Sequence, residues 1–204
     1  NMSRLHFENK FNINIDNINV SDVLKNFDGG ELFFEDTSSE VISVNNGIVK
    51  TAHFNNTSGI SFRCFEGDKT SFAASSEISE KSIKNLLECN TSFLKQKSIH
   101  IESYNTEKKL NLYTSISEMN VIEKISLLQK AYNYIKNNSL NVVDITVTIA
   151  ESVQNIGIIN INSKQFDVRP MVRFSVNIVG KKNGVTDTGV TGFGGRCDIN
   201  YICL

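Results

Sequence analysis

The chain has 204 residues, 40% hydrophobic and 21% charged, with 21 lysines and arginines against 22 acidic residues. Such a composition is typical of a folded globular protein, long enough to bury one large core or two small ones. No apolar run approaches the ~20 residues of a membrane-spanning helix. Residues 1–20 are too polar for a signal peptide, and a net charge of −1 creates no general attraction to nucleic acid or anionic lipid. We therefore expect a cytoplasmic protein without membrane or direct nucleic-acid contacts.

The first 19 residues alternate only weakly, with Phe11, Ile13 and Ile15 spaced among polar residues. This pattern predicts a poorly defined leader or an edge strand. Residues 20–27 can form a short helix, because two glycines follow immediately at 29 and 30. We expect one domain over residues 20–204, preceded by the leader over 1–19.

Five strand-like runs follow, at residues 31–35, 40–44, 48–53, 59–66 and 69–74. Asn46-Gly47 separates the second run from the third, and both residues tolerate the positive φ of a tight hairpin. Gly67-Asp68 does the same between the fourth and fifth. The pattern predicts an antiparallel meander over about residues 31–75.

Two amphipathic helices are predicted next, over about residues 79–96 and 120–137. Ser79 is a plausible N-cap for the first helix. Asn120 and Glu123 have the spacing of a capping box, and the apolar residues that follow step by three or four. The polar segment 97–114 has room for one irregular strand.

The last third predicts a second meander, over about residues 140–200. It contains an alternating run at 143–149, a run at 156–161, a turn at Asn162-Ser163, a long strand at 166–179, a turn at Asn183-Gly184 and a return strand at 185–190. In the long strand the even positions are apolar, while Arg169 and Arg173 share the odd, wet face. Pro170 cannot donate to a ladder, which predicts a sheet edge or a bulge there. The order of meander, two helices and meander predicts an α+β fold with a mainly antiparallel sheet.

Few residues have the spacing of a catalytic or metal site. The three histidines lack partners at metal-ligand spacing, and the four cysteines include no closely spaced pair, so we expect no metal or cofactor in this chain and reduced thiols. Glu31, Glu35 and Asp36 cluster at positions that usually face solvent, which is a weak basis for acid–base chemistry.

The most unusual segment is glycine-rich, reading GVTGFGGR over residues 189–196. One interpretation is a backbone nest that binds an anion or a peptide carboxylate. The other is a strand exit where glycines permit a sharp turn or the close approach of another backbone. The segment lacks the Lys-Ser/Thr pair of a phosphate-binding loop.

Several segments resemble one family. They are GELFFE at 30–35, VNNGIVK at 44–50, GISFRCFEGDKTSFA at 59–73, DVRPMVRFSV at 167–176 and GFGGR at 192–196. In order and spacing they are similar to the amino-terminal half of TldD/PmbA proteins, which were long called modulators of DNA gyrase and are now regarded as zinc metalloproteases. The VRPMVR segment is more similar to the TldD branch than to the PmbA (TldE) branch.

The resemblance implies a function that this chain would serve only in part. The family's His-Glu-x-x-x-His zinc motif and a later cysteine ligand belong to the carboxy-terminal domain, so no catalytic or metal residue transfers to this chain, which should be inactive alone. The implied enzyme degrades or processes unfolded peptides in a chamber formed with a PmbA (TldE)-like partner or a second copy. The amino-terminal domain would wall that chamber and help to bind a peptide or partner.

The candidate binding residues are Arg169, Arg173 and Arg196, together with Gly194 and Gly195. The arginines are expected to bind neighbouring carboxylates or carbonyls. The glycines are expected to leave room for an approaching backbone. The alternative is that the arginines are only a solvated surface. A second function is also open: a non-catalytic protein-binding module, such as a gyrase-modulator-type accessory protein, that uses a sheet edge.

Overall fold

The computed structural model describes residues 2–18, 20–91, 119–197 and 199–202. Its helices are α1 (Met2–Phe11), α2 (Val20–Leu24), α3 (Glu80–Thr91) and α4 (Val121–Asn138), with short 3₁₀ turns at Ile15–Asn17 and Ile199–Ile202. Its strands are β1 (Gly29–Asn45), β2 (Ile48–Glu66), β3 (Lys69–Ser75), β4 (Val142–Ile159), β5 (Lys164–Lys182) and β6 (Val185–Gly195). None of the described helices is long and apolar enough to cross a membrane.

The strands form one six-stranded sheet in the order β3-β2-β1-β4-β5-β6, which confirms the predicted α+β fold with antiparallel meanders. The predicted hairpin turns are also present, with Asn46, Gly47, Asn183 and Gly184 all at positive φ. The number of strands was wrong, because the runs predicted at 31–35 and 40–44 belong to one strand, as do those at 48–53 and 59–66. Hydrogen bonds to a neighbouring strand satisfy the backbone N–H and C=O groups of such a stretch, so it remains extended although its side chains are polar.

The chain divides into two compact units. The first comprises Asn1–Thr37, Thr57–Leu112 and Gln154–Val168, and the second comprises Ser38–Asn56, Tyr113–Val153 and Arg169–Leu204.

The core of the first unit is rich in aromatic residues. Phe7 of α1 lies 5.1 Å from the ring centroid of Phe34 in β1 and 5.9 Å from that of Phe166 in β5. Residues 32, 34, 60, 62 and 64 of β1 and β2 are fully or almost fully buried with them. The even-numbered positions of these strands therefore form the packed face.

The weak alternation at the start of the chain predicted a poorly defined leader or an edge strand, but the structure shows a helix there. Residues 2–11 form α1, which packs through Phe7, and Ile13, Ile15 and Ile18 are buried in the same core. A salt bridge from Arg4 to Glu8, one helical turn apart, supports the helix. Because few apolar residues besides Phe7 and Phe11 repeat at helical spacing, the sequence pattern is too weak to indicate a helix.

The core of the second unit is mainly aliphatic and is covered by α4. Leu128 and Tyr132 of α4 pack with Ile42, Val44, Ile145, Val147 and Ile149 of the sheet. Asn120 and Glu123 form the predicted capping box, each side chain accepting from the other residue's backbone N–H. The helix predicted over 120–137 is thus confirmed as Val121–Asn138. The first predicted helix is confirmed over Glu80–Thr91, and its remaining residues and the segment 97–114 lie outside the described ranges.

Candidate functional site

The register of β5 and β6 brings two of the predicted site residues together. Arg173 pairs with Gly194 across the two antiparallel strands, and Val172 pairs with Gly195. Residues paired in this way project to the same face of a sheet. Arg173 therefore lies beside a stretch of β6 that carries no side chain.

The two strand arginines do not act on one group. Arg169 and Arg173 are both exposed on the odd face of β5, but four residues of strand separate their Cα atoms by about 13 Å. At this separation the two guanidinium groups would contact different groups of a bound segment, and their role in binding stays a prediction. Arg196 is exposed immediately after β6.

Pro170 occupies the kind of position that the sequence predicted. The pairing of β6 with β5 covers Val172 to Lys182 and ends there, so Pro170 lies beyond the last pair. Because β6 does not pair with β5 at this point, the missing N–H of proline costs no hydrogen bond to β6.

The glycine-rich segment is an extended strand, which favours the close-approach interpretation over a nest. Gly192, Gly194 and Gly195 all lie within β6. A Cβ added at Gly194 would lie 2.2 Å from the carbonyl oxygen of Val172, and one at Gly192 would lie 2.7 Å from that of Phe174. Only glycine fits at these two positions without a shift of β5.

The edge of β6 is open along its whole length. Residues 185–194 are all exposed, including Val190 at 69% and Phe193 at 48%. Phe193 also stacks on Phe174 of β5, with the ring centroids 5.4 Å apart. The strand carries one charged residue, Asp187, and no proline. Natural sheets usually protect an edge with charges, prolines or bulges, so this edge is suited to pairing with another strand.

Metal-binding side chains do not converge in the part of the chain that the structure describes: no three histidine, cysteine or acidic residues are grouped there. The described residues therefore do not fit a zinc site. Cys64 is a buried free thiol, and burial raises its pKa.

Sequence reasoning missed a buried ionic cluster in the second unit. The Lys124 ammonium of α4 forms ion pairs with Glu40 of β1 and, at 2.5 Å, with Glu151 of β4. Lys124 has 1% of its side chain exposed. Burial, the largest single influence, lowers the pKa of Lys124, but the bonds to Glu151 and Glu40 outweigh it, so the pKa lies above its usual value. A signal was present, since all three residues occupy positions whose spacing places them on buried faces.

The burial of Asp36 was also missed by the sequence prediction. This residue was expected to face solvent with Glu31 and Glu35, but it is 1% exposed in the first unit. Lys10 of α1 lies 2.5 Å from its Oδ2. Its Oδ1 has no hydrogen-bond partner among the described residues. Asp36 follows Leu32 and Phe34 at even spacing, so it shares their buried face.

Known proteins of one family are similar to this chain. Residues 30–90 match a family profile described as PmbA/TldA metallopeptidase domain 1. A metalloprotease TldD homolog of Buchnera aphidicola (subsp. Schizaphis graminum) is 25% identical over 86% of this chain and 38% of its own length. The TldD homolog of Haemophilus influenzae is 23% identical over 90% of this chain and 40% of its own length.

Solved structures share the fold at lower identity. A Bacteroides thetaiotaomicron protein named as a candidate modulator of DNA gyrase superposes with a TM-score of 0.68, at 10% identity over 89% of this chain and 44% of that one. TldE from Thermococcus kodakarensis superposes with a TM-score of 0.64, at 13% identity over 89% of this chain and 43% of that one.

These matches agree with one another and with the sequence resemblance. Residues 30–90 match domain 1 of this family, and the findings together support an assignment of the chain to the amino-terminal domain of TldD/PmbA proteins. The chain spans about two fifths of the length of the TldD relatives that it matches.

Proposed function

We propose that this chain is the amino-terminal, non-metal-binding domain of a cytoplasmic, TldD-like zinc metalloprotease that degrades or processes unfolded peptides. The observation that carries the proposal is the match to proteins named metalloprotease TldD homologs over 86–93% of the chain. In this proposal the zinc and the general base belong to the carboxy-terminal domain. Zinc would there polarise the peptide carbonyl and activate a water molecule.

The domain's own task in the proposal is to wall the substrate chamber and to help hold a peptide or a partner subunit. The partner would be a PmbA (TldE)-like protein or a second copy of the chain, and the fold shared with TldE supports a common assembly. Arg169, Arg173 and Arg196, with Gly194 and Gly195, would face the peptide or the partner. The three arginines are exposed, and Arg173 pairs with Gly194 in the unprotected strand β6, which supports this role.

The first test examines the gene and the metal. The reading frame after Leu204 should encode a His-Glu-x-x-x-His helix within the next domain. The 204-residue chain should then hydrolyse no peptide and carry no stoichiometric zinc in elemental analysis. One tightly bound zinc per chain would contradict the division of labour between the two domains.

The second test examines the arginines in the full-length enzyme. Arg173→Ala should reduce peptide cleavage or partner assembly, while the melting temperature of this domain remains nearly unchanged because the side chain is exposed. Arg63→Ala, another exposed strand arginine, is the matched control and should preserve both activities. If Arg173→Ala leaves cleavage and assembly unchanged, the arginines are solvated surface residues without a binding role.

A third test concerns the compartment. If the protein is cytoplasmic, freshly purified and denatured chain should show four titratable thiols without added reductant. A count of two or none would contradict the cytoplasmic assignment.

A second candidate function is a non-catalytic protein-binding module, acting as a gyrase-modulator-type accessory protein. The observation that favours it is the exposed edge of β6, which can recruit a strand without any catalysis. Such a module would bind protein and not DNA, since the net charge is −1. A downstream reading frame without the zinc motif would favour this function over the protease.

A further inference from the structure

The edge of β6 can accept another strand along an unbroken length. Its register with β5 runs without interruption from Val185–Lys182 to Gly195–Val172. An uninterrupted antiparallel strand presents alternate N–H and C=O groups on its outer side. A bulge would twist such an edge away from a partner, and a lysine would discourage pairing. Neither is present in β6.

The two faces of this edge differ in chemistry. On one face Gly192 and Gly194 pair with Ser175 and Arg173, so β6 there has no side chain beyond the backbone. On the opposite face Phe193 is stacked on Phe174 and remains half exposed. A strand added outside β6 would therefore have glycines beside one face and an aromatic ring beside the other.

Arg173 supplies charge to the glycine face. It is exposed, and no ion pair of the described residues involves it. The strand after next lies about 10 Å away in a sheet. Because Gly194 has no side chain, the guanidinium can extend over β6 toward that strand. A glutamate or aspartate on the added strand can extend to meet it and form a charge-assisted pair.

From these features we infer that the outer edge of β6 binds an extended polypeptide segment as a seventh strand, and that Arg173 selects a segment with acidic side chains on the Gly192–Gly194 face and apolar ones on the Phe193 face. This deepens the proposed function, on which it rests for the assumption that this surface meets a peptide or partner. Backbone pairing gives affinity, and the alternation of acidic and apolar residues gives specificity.

The test uses fluorescence anisotropy with the 204-residue chain and labelled hexapeptides. One probe alternates glutamate with valine, and the other alternates lysine with valine. The acidic probe should bind about tenfold more tightly, because a hydrogen-bonded charge pair contributes to its affinity alone. Equal affinity for the two probes would overturn the role of Arg173.

Variants of the chain test whether Arg173 causes the preference for the acidic probe. Arg173→Gln should abolish the preference for the acidic probe, and Arg173→Glu should invert it in favour of the lysine probe. Arg63→Gln, the same substitution at an exposed arginine of β2, should leave the preference intact. An unchanged preference in Arg173→Glu, or its loss in Arg63→Gln, would contradict the inference.

Backbone pairing is tested separately with two N-methylated versions of the acidic probe. Each version carries methyl groups on alternate residues, so that only one edge of the peptide loses its N–H donors. One version should fail to bind and the other should bind like the unmethylated probe. Equal behaviour of the two versions would overturn strand addition.

Two further outcomes are distinguishable. If the chain forms a dimer in sedimentation that the acidic probe does not dissociate, the edge is occupied by a second copy and the inference is wrong. Failure of the acidic probe to bind would overturn the inference but not the proposed protease, because that proposal is tested by the downstream zinc motif and by cleavage in the full-length enzyme.

Discussion

Both units of this domain bury a carboxylate beside a lysine, but they solvate the pair differently. In the first unit Asp36 is 1% exposed while the side chain of its partner Lys10 is 35% exposed. In the second unit Lys124 is 1% exposed between Glu40 and Glu151. Water can replace part of what Lys10 contributes but cannot reach the position of Lys124. A buried lysine–carboxylate pair therefore contributes differently to stability according to which of its two partners contacts solvent.

The cluster of the second unit should show the largest effect. Lys124→Met leaves the buried carboxylate of Glu151 and the partly buried one of Glu40 without their cation, and we expect it to lower the free energy of unfolding by about 3–5 kcal/mol. Denaturant unfolding measures this change, and hydrogen exchange should localise it to α4 and β4. Lys130→Met, an exposed lysine of the same helix, should change stability by less than about 0.5 kcal/mol.

A triple variant separates charge from packing in that cluster. Lys124→Met combined with Glu40→Gln and Glu151→Gln removes all three charges and should recover most of the lost stability. If it is no more stable than Lys124→Met alone, loss of packing and not uncompensated charge explains the effect.

The raised pKa of Lys124 predicts a pH dependence with a definite sign. A group whose pKa is higher in the folded state contributes stability that is fully present below its unfolded value of 10.5 and is lost as the pH rises through the folded value. The stability difference between wild type and Lys124→Met should therefore decrease at strongly alkaline pH. A difference that grows with alkalinity would contradict the assignment of charge to this lysine.

The pair of the first unit should show a smaller effect. Lys10→Met leaves the Asp36 carboxylate without its cation, at a cost of about 1–3 kcal/mol, because water can approach from the side that Lys10 occupied. The measurement is again denaturant unfolding. Lys25→Met, whose ion pair with Asp22 is exposed on both sides, is the control and should be nearly neutral. If Lys10→Met costs as much as Lys124→Met, solvent access does not distinguish the two pairs.

Helix capping gives the next comparison between the units. In the second unit Asn120 both donates through its backbone N–H and accepts through its side chain in the capping box, whereas Ser79 before α3 accepts from Ser82 N–H at 3.1 Å. We expect about 1–2 kcal/mol for Asn120→Ala and about 0.5–1 kcal/mol for Ser79→Ala in thermal unfolding. The reverse order would show that packing of the helix, and not its cap, decides the cost.

The smallest effect belongs to a surface ion network of the first unit. Asp16 pairs with Arg4 at 2.6 Å and with Lys164 at 3.0 Å, yet 64% of its side chain is exposed. The bond from Arg4, then that from Lys164, lowers the pKa of the Asp16 carboxyl. We expect Asp16→Asn to cost less than about 1 kcal/mol. The stabilisation should be present above the unfolded value of 3.8 and be lost as the pH falls through the lower folded value. Added salt should reduce it further.

Much of this architecture is readable along the chain. Local turn chemistry at Asn46-Gly47 and Asn183-Gly184 correctly predicted two hairpins, because positive φ is a property of those residues themselves. The alternation in β5 correctly predicted a dry and a wet face, and the capping box located the start of α4. Each of these signals depends on residues within a few positions of one another.

Other features depended on distant parts of the chain. The sequence by itself determined the fold class, the turns and the exposed face of Arg173, because side-chain periodicity and turn preferences are local. Only the tertiary structure decided that α1 is a helix, since Phe7 is stabilised by Phe34 and Phe166 from distant strands. It also decided that Lys124 forms ion pairs with Glu40 and Glu151, and that Gly194 of β6 lies beside Arg173. Those contacts join residues far apart in sequence, and no local pattern encodes which strand lies beside which.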